Sequence, residues 1–210
     1  VRGFVSDVSP SPCPLPSRER EEIVKERTGE AMETLMDIIK KRVSVRSYKE
    51  KALPKKVVNA ILEAARYAPT ARNLQELEYK VITSKAMITK LSEGVDKVIR
   101  KEGFPLKGPP GGGPGVFHNA PLLIIITAPK ENRFSDSDAA LAVQNIMLYA
   151  TSIDLGSCFI GMAKLIERDK NLLKELHISD DRNIAAAVIC GYTDEKPEPK
   201  EKKLNAEFFE

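Results

Sequence analysis

Arg42-Val43-Ser44-Val45-Arg46 sets two guanidiniums and a hydroxyl on alternate residues. In an extended segment those three side chains point one way, and Val43 and Val45 point the other, toward a core. Two planar forks flanking a hydroxyl suit a dianionic phosphate, because Arg offers bidentate donors and stays charged at any working pH. The same residues, from Lys40 to Arg46, also read as a basic helix end that complements the helix dipole. The segments around the run separate the two readings.

Upstream, Leu35, Met36, Ile38, Ile39 and Val43 recur at helical spacing, which predicts an amphipathic helix from Glu33 that ends in the Arg/Ser run. Downstream, Pro54 opens a second helix with the face Val57, Val58, Ile61, Leu62 and Ala65, and Pro69 lies just beyond its end. A polar loop, Thr70 to Gln75, follows. Tyr79 to Thr83 is predicted as strand, Ser84 as an N-cap, and Met87, Ile88, Leu91, Val95, Val98 and Ile99 as the buried stripe of a third helix. A Gly/Pro-rich loop, Gly103 to Asn119, leads to the apolar strand Leu122 to Thr127 and a long helix, Asp138 to Ile153. Gly156 reads as a helix C-cap and Cys158 as a small buried hydrophobe on a strand from Ser157 to Ile160. A helix over Asp169 to Leu176 and a strand over Ile184 to Cys190 complete a sheet covered by helices on both faces.

At 210 residues the chain is one domain with a sizeable core. Residues 1–31, rich in Pro, Ser and then charge, read as a flexible or partner-wrapping arm; 32–196 form the domain; 197–210 are an extension anchored by Leu204, Phe208 and Phe209. A net charge of +3, from 33 basic and 30 acidic residues, implies no nucleic acid. Cys13, Cys158 and Cys190 are widely spaced with no CxxC and no nearby His, so neither a disulfide framework nor a zinc site is expected, and a reducing cytoplasm fits. His118 and His177 are isolated from other ligand types, so no metal is expected. The apolar stretch from Pro121 to Ala128 is far below a membrane span, and no basic-then-apolar leader is legible. The run from Lys107 to Gly115 makes a poor phosphate loop, since its prolines remove N–H donors.

Four segments in order carry a resemblance: Arg42-Val43-Ser44-Val45-Arg46; Ala68-Pro69-Thr70-Ala71-Arg72-Asn73-Leu74-Gln75; Gly156-Ser157-Cys158-Phe159-Ile160-Gly161; and Lys200 and Lys202 behind Gly191-Tyr192. From about Met32 to Leu204 the chain resembles the FMN-dependent nitroreductase family. The resemblance implies an α+β, three-layer α/β/α sandwich with a central mixed, mostly antiparallel sheet. It also implies an obligate homodimer that exchanges C-terminal segments and holds FMN at the interface. Arg42, Val43, Ser44 and Arg46 would meet the phosphate and ribityl chain, with Lys200 and Lys202 closing on the phosphate. Pro69, Thr70, Ala71, Asn73 and Gln75 would reach the cofactor from the opposite subunit. Backbone N–H groups of Phe159, Ile160 and Gly161 would face the flavin ring, where such a bond orients the atom that takes hydride.

By the same resemblance, NADH or NADPH is the electron donor, and a small acceptor such as a nitroaromatic or quinone follows in a ping-pong cycle. A narrower family reaction (enone reduction, dehalogenation or flavin breakdown) and a non-catalytic flavin carrier or sensor are the alternatives. The Gly103 to Asn119 loop would be a lid over the substrate side, with Phe104 and Phe117 as substrate contacts, or would be disordered. Two departures stand out: Glu76-Leu77 replaces the family's usual Pro-Trp, and Lys202 stands where Arg is usual.

Overall fold

The computed structural model describes residues 33–103, 115–195, 198–199 and 201–209. The arm expected over 1–31 and most of the expected lid, including Phe104, lie outside the described residues, as does Lys200. The chain divides into two units, Val1–Asp37 and Ile38–Glu210. In the first, Thr34 and Asp37 cap each other: the Thr34 backbone N–H and hydroxyl donate to Asp37 Oδ2 (3.0 and 2.5 Å), and the Asp37 N–H donates to Thr34 Oγ1 (3.2 Å). That reciprocal pair starts helix α1, Leu35–Lys41.

The second unit continues with α2 (Lys55–Arg66), β1 (Glu78–Ile82), α3 (Lys85–Glu102), β2 (Leu122–Pro129), α4 (Ser135–Ser152), β3 (Gly156–Phe159), α5 (Lys170–Glu175) and β4 (Arg182–Gly191). Ser84 caps α3 as its position predicts, its hydroxyl accepting the Met87 N–H at 3.3 Å. Asp169 caps α5 through the N–H groups of Asn171 and Leu172. Two 3-10 segments, Ala71–Asn73 and Gly161–Arg168, have no counterpart in the sequence reading.

The sheet runs β1-β2-β4-β3, and every ladder is antiparallel. Its parallel component is an isolated bridge between Ser44 and Ser157, which lays the Arg/Ser run beside β3. β2 and β4 pair from Leu122 opposite Cys190 to Pro129 opposite Arg182, with a register shift after Ile126. That shift leaves Ala185 as the extra residue of a bulge and turns both Ala185 and Ala186 toward one face.

The two faces carry separate cores, which makes the three layers. Leu122, Ile124, Ile126 and Val188 pack under α2 and α4; Leu123, Ile125, Ala187 and Ile189 pack under α3, α5 and the 161–168 segment. Leu122 through Ile126 are fully buried, as a central strand covered on both sides must be. Burial of each such Leu or Ile contributes roughly 1.5–3 kcal/mol. Among the described residues no helix is long and apolar enough to cross a membrane.

Candidate functional site

Backbone pairing holds the Arg42 to Arg46 run in place. Val45 donates its N–H to the Ser157 carbonyl (3.0 Å), and Val45 itself is buried. Alternation then turns Arg42, Ser44 and Arg46 away from that side, onto a cavity of about 970 Å³ that Lys202 also lines. Val43 was expected to face the core; it is half-buried and lines the same cavity. Among the described residues neither the Arg42 nor the Arg46 guanidinium forms a salt bridge.

Gly156 explains how the run comes so close. A Cβ there would sit 2.8 Å from Val45 Cγ1 and 3.0 Å from Thr193 Cγ2, so a side chain would push the run off β3. The expected role of Gly156 as a helix C-cap is corrected accordingly: α4 is capped by Ile153, and Gly156 opens β3. Beyond β3, Gly161 has room for a Cβ except for Phe159 Cε1 at 3.8 Å, which leaves its backbone open to close approach. Phe159 is exposed and Ile160 buried, its N–H donated to the Ala187 carbonyl at 2.9 Å; the Ile160 amide is therefore already used.

A carboxylate that the sequence reading missed organises the far end of the run. Glu195 Oε2 accepts the backbone N–H groups of both Arg46 and Ser47 at 2.9 Å. One carboxylate oxygen thus satisfies two successive backbone donors. Thr193 Oγ1 donates to the Ser47 carbonyl (2.7 Å), and Tyr48 Oη donates to the Val45 carbonyl (2.7 Å). Glu198 and Glu201 bring two further carboxylates to the cavity rim.

The thiol of Cys158, buried beneath Ser44, is raised above its ordinary range by burial, an effect that Arg46 and the Ser44 hydroxyl partly offset. It is neutral near pH 7 and acts as a packing group. His118 is lowered by burial and by the Arg46 charge. Phe117, expected to touch substrate, is 1% exposed and packed in the core with α3; what it shows lines a separate cavity with Ser92 and Asn119, not the one faced by Arg42 and Arg46.

The loop from Pro69 to Gln75 lies elsewhere. Ala71 donates its N–H to Asp138 Oδ1 (3.0 Å) in the first turn of α4, whereas Lys41, beside the Arg/Ser run, meets Asp154 just past the end of α4 (3.4 Å). At a rise of about 1.5 Å per residue, the helix from Asp138 to Ser152 separates these ends by about 21 Å. One chain therefore brings together Arg42, Ser44, Arg46, Lys202 and β3, but not Thr70, Ala71, Asn73 or Gln75. The loop itself is unusual in carrying Arg72, Asn73 and Gln75 at φ of 54°, 55° and 54°.

The donor set fits a phosphate: two guanidiniums without a salt bridge among the described residues, a hydroxyl and an ammonium face one cavity, and Glu195, one of the three carboxylates that line it, is engaged by backbone N–H groups. Among the described residues no cluster of three or more His, Cys, Asp and Glu is arranged to hold a metal ion.

Comparison with known proteins places the chain as a whole. A Bacillus subtilis protein that bears the provisional name NAD(P)H nitroreductase YfhC is 28% identical over 181 residues, 80% of this chain and 89% of its own. The crystal structure of a nitroreductase with bound FMN from Bacteroides fragilis superposes with a TM-score of 0.70 at 26% identity, covering 84% of this chain and 97% of that one. An FMN-dependent nitroreductase from Clostridium difficile R20291 does so with a TM-score of 0.66 at 30% identity, covering 83% and 99%. The model of the nitroreductase family matches residues 39–192, and the chain belongs to that family.

Proposed function

We propose that this protein is an NAD(P)H-dependent FMN oxidoreductase, working as a homodimer on a small acceptor such as a nitroaromatic or quinone. The observation that carries the reading is the set of cations without a salt bridge among the described residues, Arg42 and Arg46 with Ser44 between them, turned onto a cavity that Lys202 also lines. A phosphate taken out of water needs several charge-assisted donors, and this arrangement supplies them. FMN held by these residues would supply the redox chemistry, with NADH or NADPH as hydride donor and the acceptor following in a ping-pong cycle.

The chain's own residues bind and orient. Arg42, Val43, Ser44 and Arg46 hold the phosphate end, joined by Lys202 and Lys200, and Phe159 and Gly161 present backbone N–H groups to the ring, the Ile160 amide being engaged by the Ala187 carbonyl. Pro69, Thr70, Ala71, Asn73 and Gln75 complete the site from a second subunit, a division supported by their placement at the opposite end of α4 from the Arg/Ser run. Exposed Phe134, Leu141 and Met162 supply apolar surface for that contact. Two buried free thiols, Cys158 and Cys190, suit a reducing compartment such as the cytoplasm.

The test is the visible spectrum of the purified protein after incubation with FMN and gel filtration, repeated anaerobically with NADH and then NADPH. Retained flavin that bleaches supports a reductase. Retained flavin that bleaches with neither donor points to a carrier or sensor, and absence of retained flavin overturns the reading.

A further inference from the structure

We infer that Asp138 is a positioning residue, which together with Arg182 clamps the 70–76 loop and so sets how Asn73 and Gln75 are presented to the flavin. The inference rests on the reading above that this loop meets the cofactor of a second subunit. Arg72, Asn73 and Gln75 all sit in the left-handed region, at φ of 54°, 55° and 54°. Asn tolerates that conformation, whereas Arg and Gln adopt it only where their surroundings enforce it.

Bonds within the loop do not suffice. Asn73 N–H to the Thr70 carbonyl (2.9 Å), Leu74 N–H to the Ala71 carbonyl (3.1 Å) and Gln75 N–H to Thr70 Oγ1 (3.1 Å) involve a turn whose residues 72–75 are all exposed, where water competes. Two charged side chains tie the loop to the body of the protein. At its start, the Ala71 N–H donates to Asp138 Oδ1 at 3.0 Å, and Asp138 is 4% exposed. At its end, Arg182 donates to the Glu76 carbonyl at 2.6 Å and to the Thr127 carbonyl at 3.0 Å, with its side chain 12% exposed. Asn132 adds a bond from Nδ2 to Glu76 Oε2 (3.1 Å).

The position of Asp138 suits the task. It lies in the first turn of α4, where the helix dipole favours an anion, and a charged acceptor binds a backbone N–H more strongly than a neutral one. The clamped turn lets Gln75 Nε2 donate to Asn73 Oδ1 at 3.0 Å. That internal bond leaves the Asn73 amide N–H groups as donors and Gln75 Oε1 as acceptor, a complementary pair for the edge of a flavin ring.

The experiment compares Asp138→Ala and Asp138→Asn with the wild type in two ways. The first is the rate of tryptic cleavage after Arg72, with and without FMN. The second, on holoprotein, is the visible circular dichroism of the flavin and its anaerobic bleaching by NADH or NADPH. Asp138→Ala should speed cleavage and slow bleaching by about 10- to 100-fold. FMN affinity should change by about threefold or less, since the phosphate donors are untouched. Asp138→Asn, which keeps an oxygen for the Ala71 N–H but loses the charge, should fall between Asp138→Ala and the wild type in both readouts. If Asp138→Ala fails to fold, Arg182→Lys is read instead, at the other end of the loop. Cleavage, dichroism and bleaching that match the wild type in the variant read would overturn the inference. Failure of the wild type to retain FMN would overturn the functional reading instead, with the cleavage assay still deciding the clamp.

Discussion

Val45 donates its backbone N–H to the Ser157 carbonyl at 3.0 Å, and Gly156, next to that carbonyl, has no room for a Cβ beside Val45. The bond keeps the Arg/Ser run extended, which is what sends Arg42, Ser44 and Arg46 to one side. Gly156→Ala should therefore act on the site and on stability together. Overpacking of this kind typically costs about 1–3 kcal/mol. Thermal unfolding should move down by a few degrees and FMN affinity should fall; an unchanged midpoint with unchanged flavin content would mean that the run does not depend on this contact.

Arg42 separates binding from folding more cleanly, because its guanidinium forms no salt bridge among the described residues and faces the cavity. Loss of a charge-assisted bond to phosphate costs about 1.5–3 kcal/mol, or about 10- to 100-fold in affinity. Arg42→Ala should show that weakening in an FMN titration while its melting midpoint stays near that of the wild type. Arg42→Lys should recover only part of the affinity, since an ammonium cannot bind bidentately. Equal flavin affinity in all three proteins would remove Arg42 from the phosphate site.

What the sequence revealed was whatever has a short period. The stripes Val58, Ile61, Ala65 and Ile88, Leu91, Val95, Ile99 were legible because helices repeat every 3.6 residues, and β2 because an unbroken apolar run marks a strand covered on both faces. What stayed hidden depends on distant partners. Glu195 lies 149 residues from Arg46, and nothing local marks it as the acceptor for that N–H. Gly156 looked like a cap because a close approach to Val45 leaves no pattern in its neighbours. Phe117 looked available because it follows a Gly/Pro-rich stretch, yet the chain turns it into the core. The 161–168 segment is a 3-10 helix, whose three-residue period lacks the stripe of an α-helix.

Cys190 gives a prediction on alkaline stability. It is fully buried, and burial pushes its thiol up to about 12 from an ordinary 9.0; the Tyr48 phenol is also raised, chiefly by burial. Below about pH 9 the thiol keeps its proton in both folded and unfolded chains, so its contribution is fully present there. Between about pH 9 and about pH 12 the unfolded thiol ionises while the folded one does not, so stability falls as pH rises. Urea midpoints at about pH 7.5 and about pH 10.5 should drop more for the wild type than for Cys190→Ala, whatever the variant's baseline. Equal drops would place the alkaline sensitivity elsewhere, with Tyr48 the next group to replace.

The tail ends in three large apolar side chains that one chain leaves almost bare: Leu204 is 87% exposed and Phe208 and Phe209 are each 88% exposed. Burying each would contribute roughly 1.5–3 kcal/mol, a driving force that an isolated chain does not use. Lys202, on the same segment, lines the cavity of Arg42 and Arg46, so on the proposed reading docking of the tail and closure over the phosphate would go together. A chain lacking residues 198–210 should therefore lose both properties at once. Sedimentation should show a weaker dimer, and gel filtration with FMN should recover less flavin. Lys202→Ala in the full chain should lower flavin retention alone and leave the dimer intact. If truncation changes neither sedimentation nor retention, the tail is a solvated appendage and Lys202 leaves the proposed site.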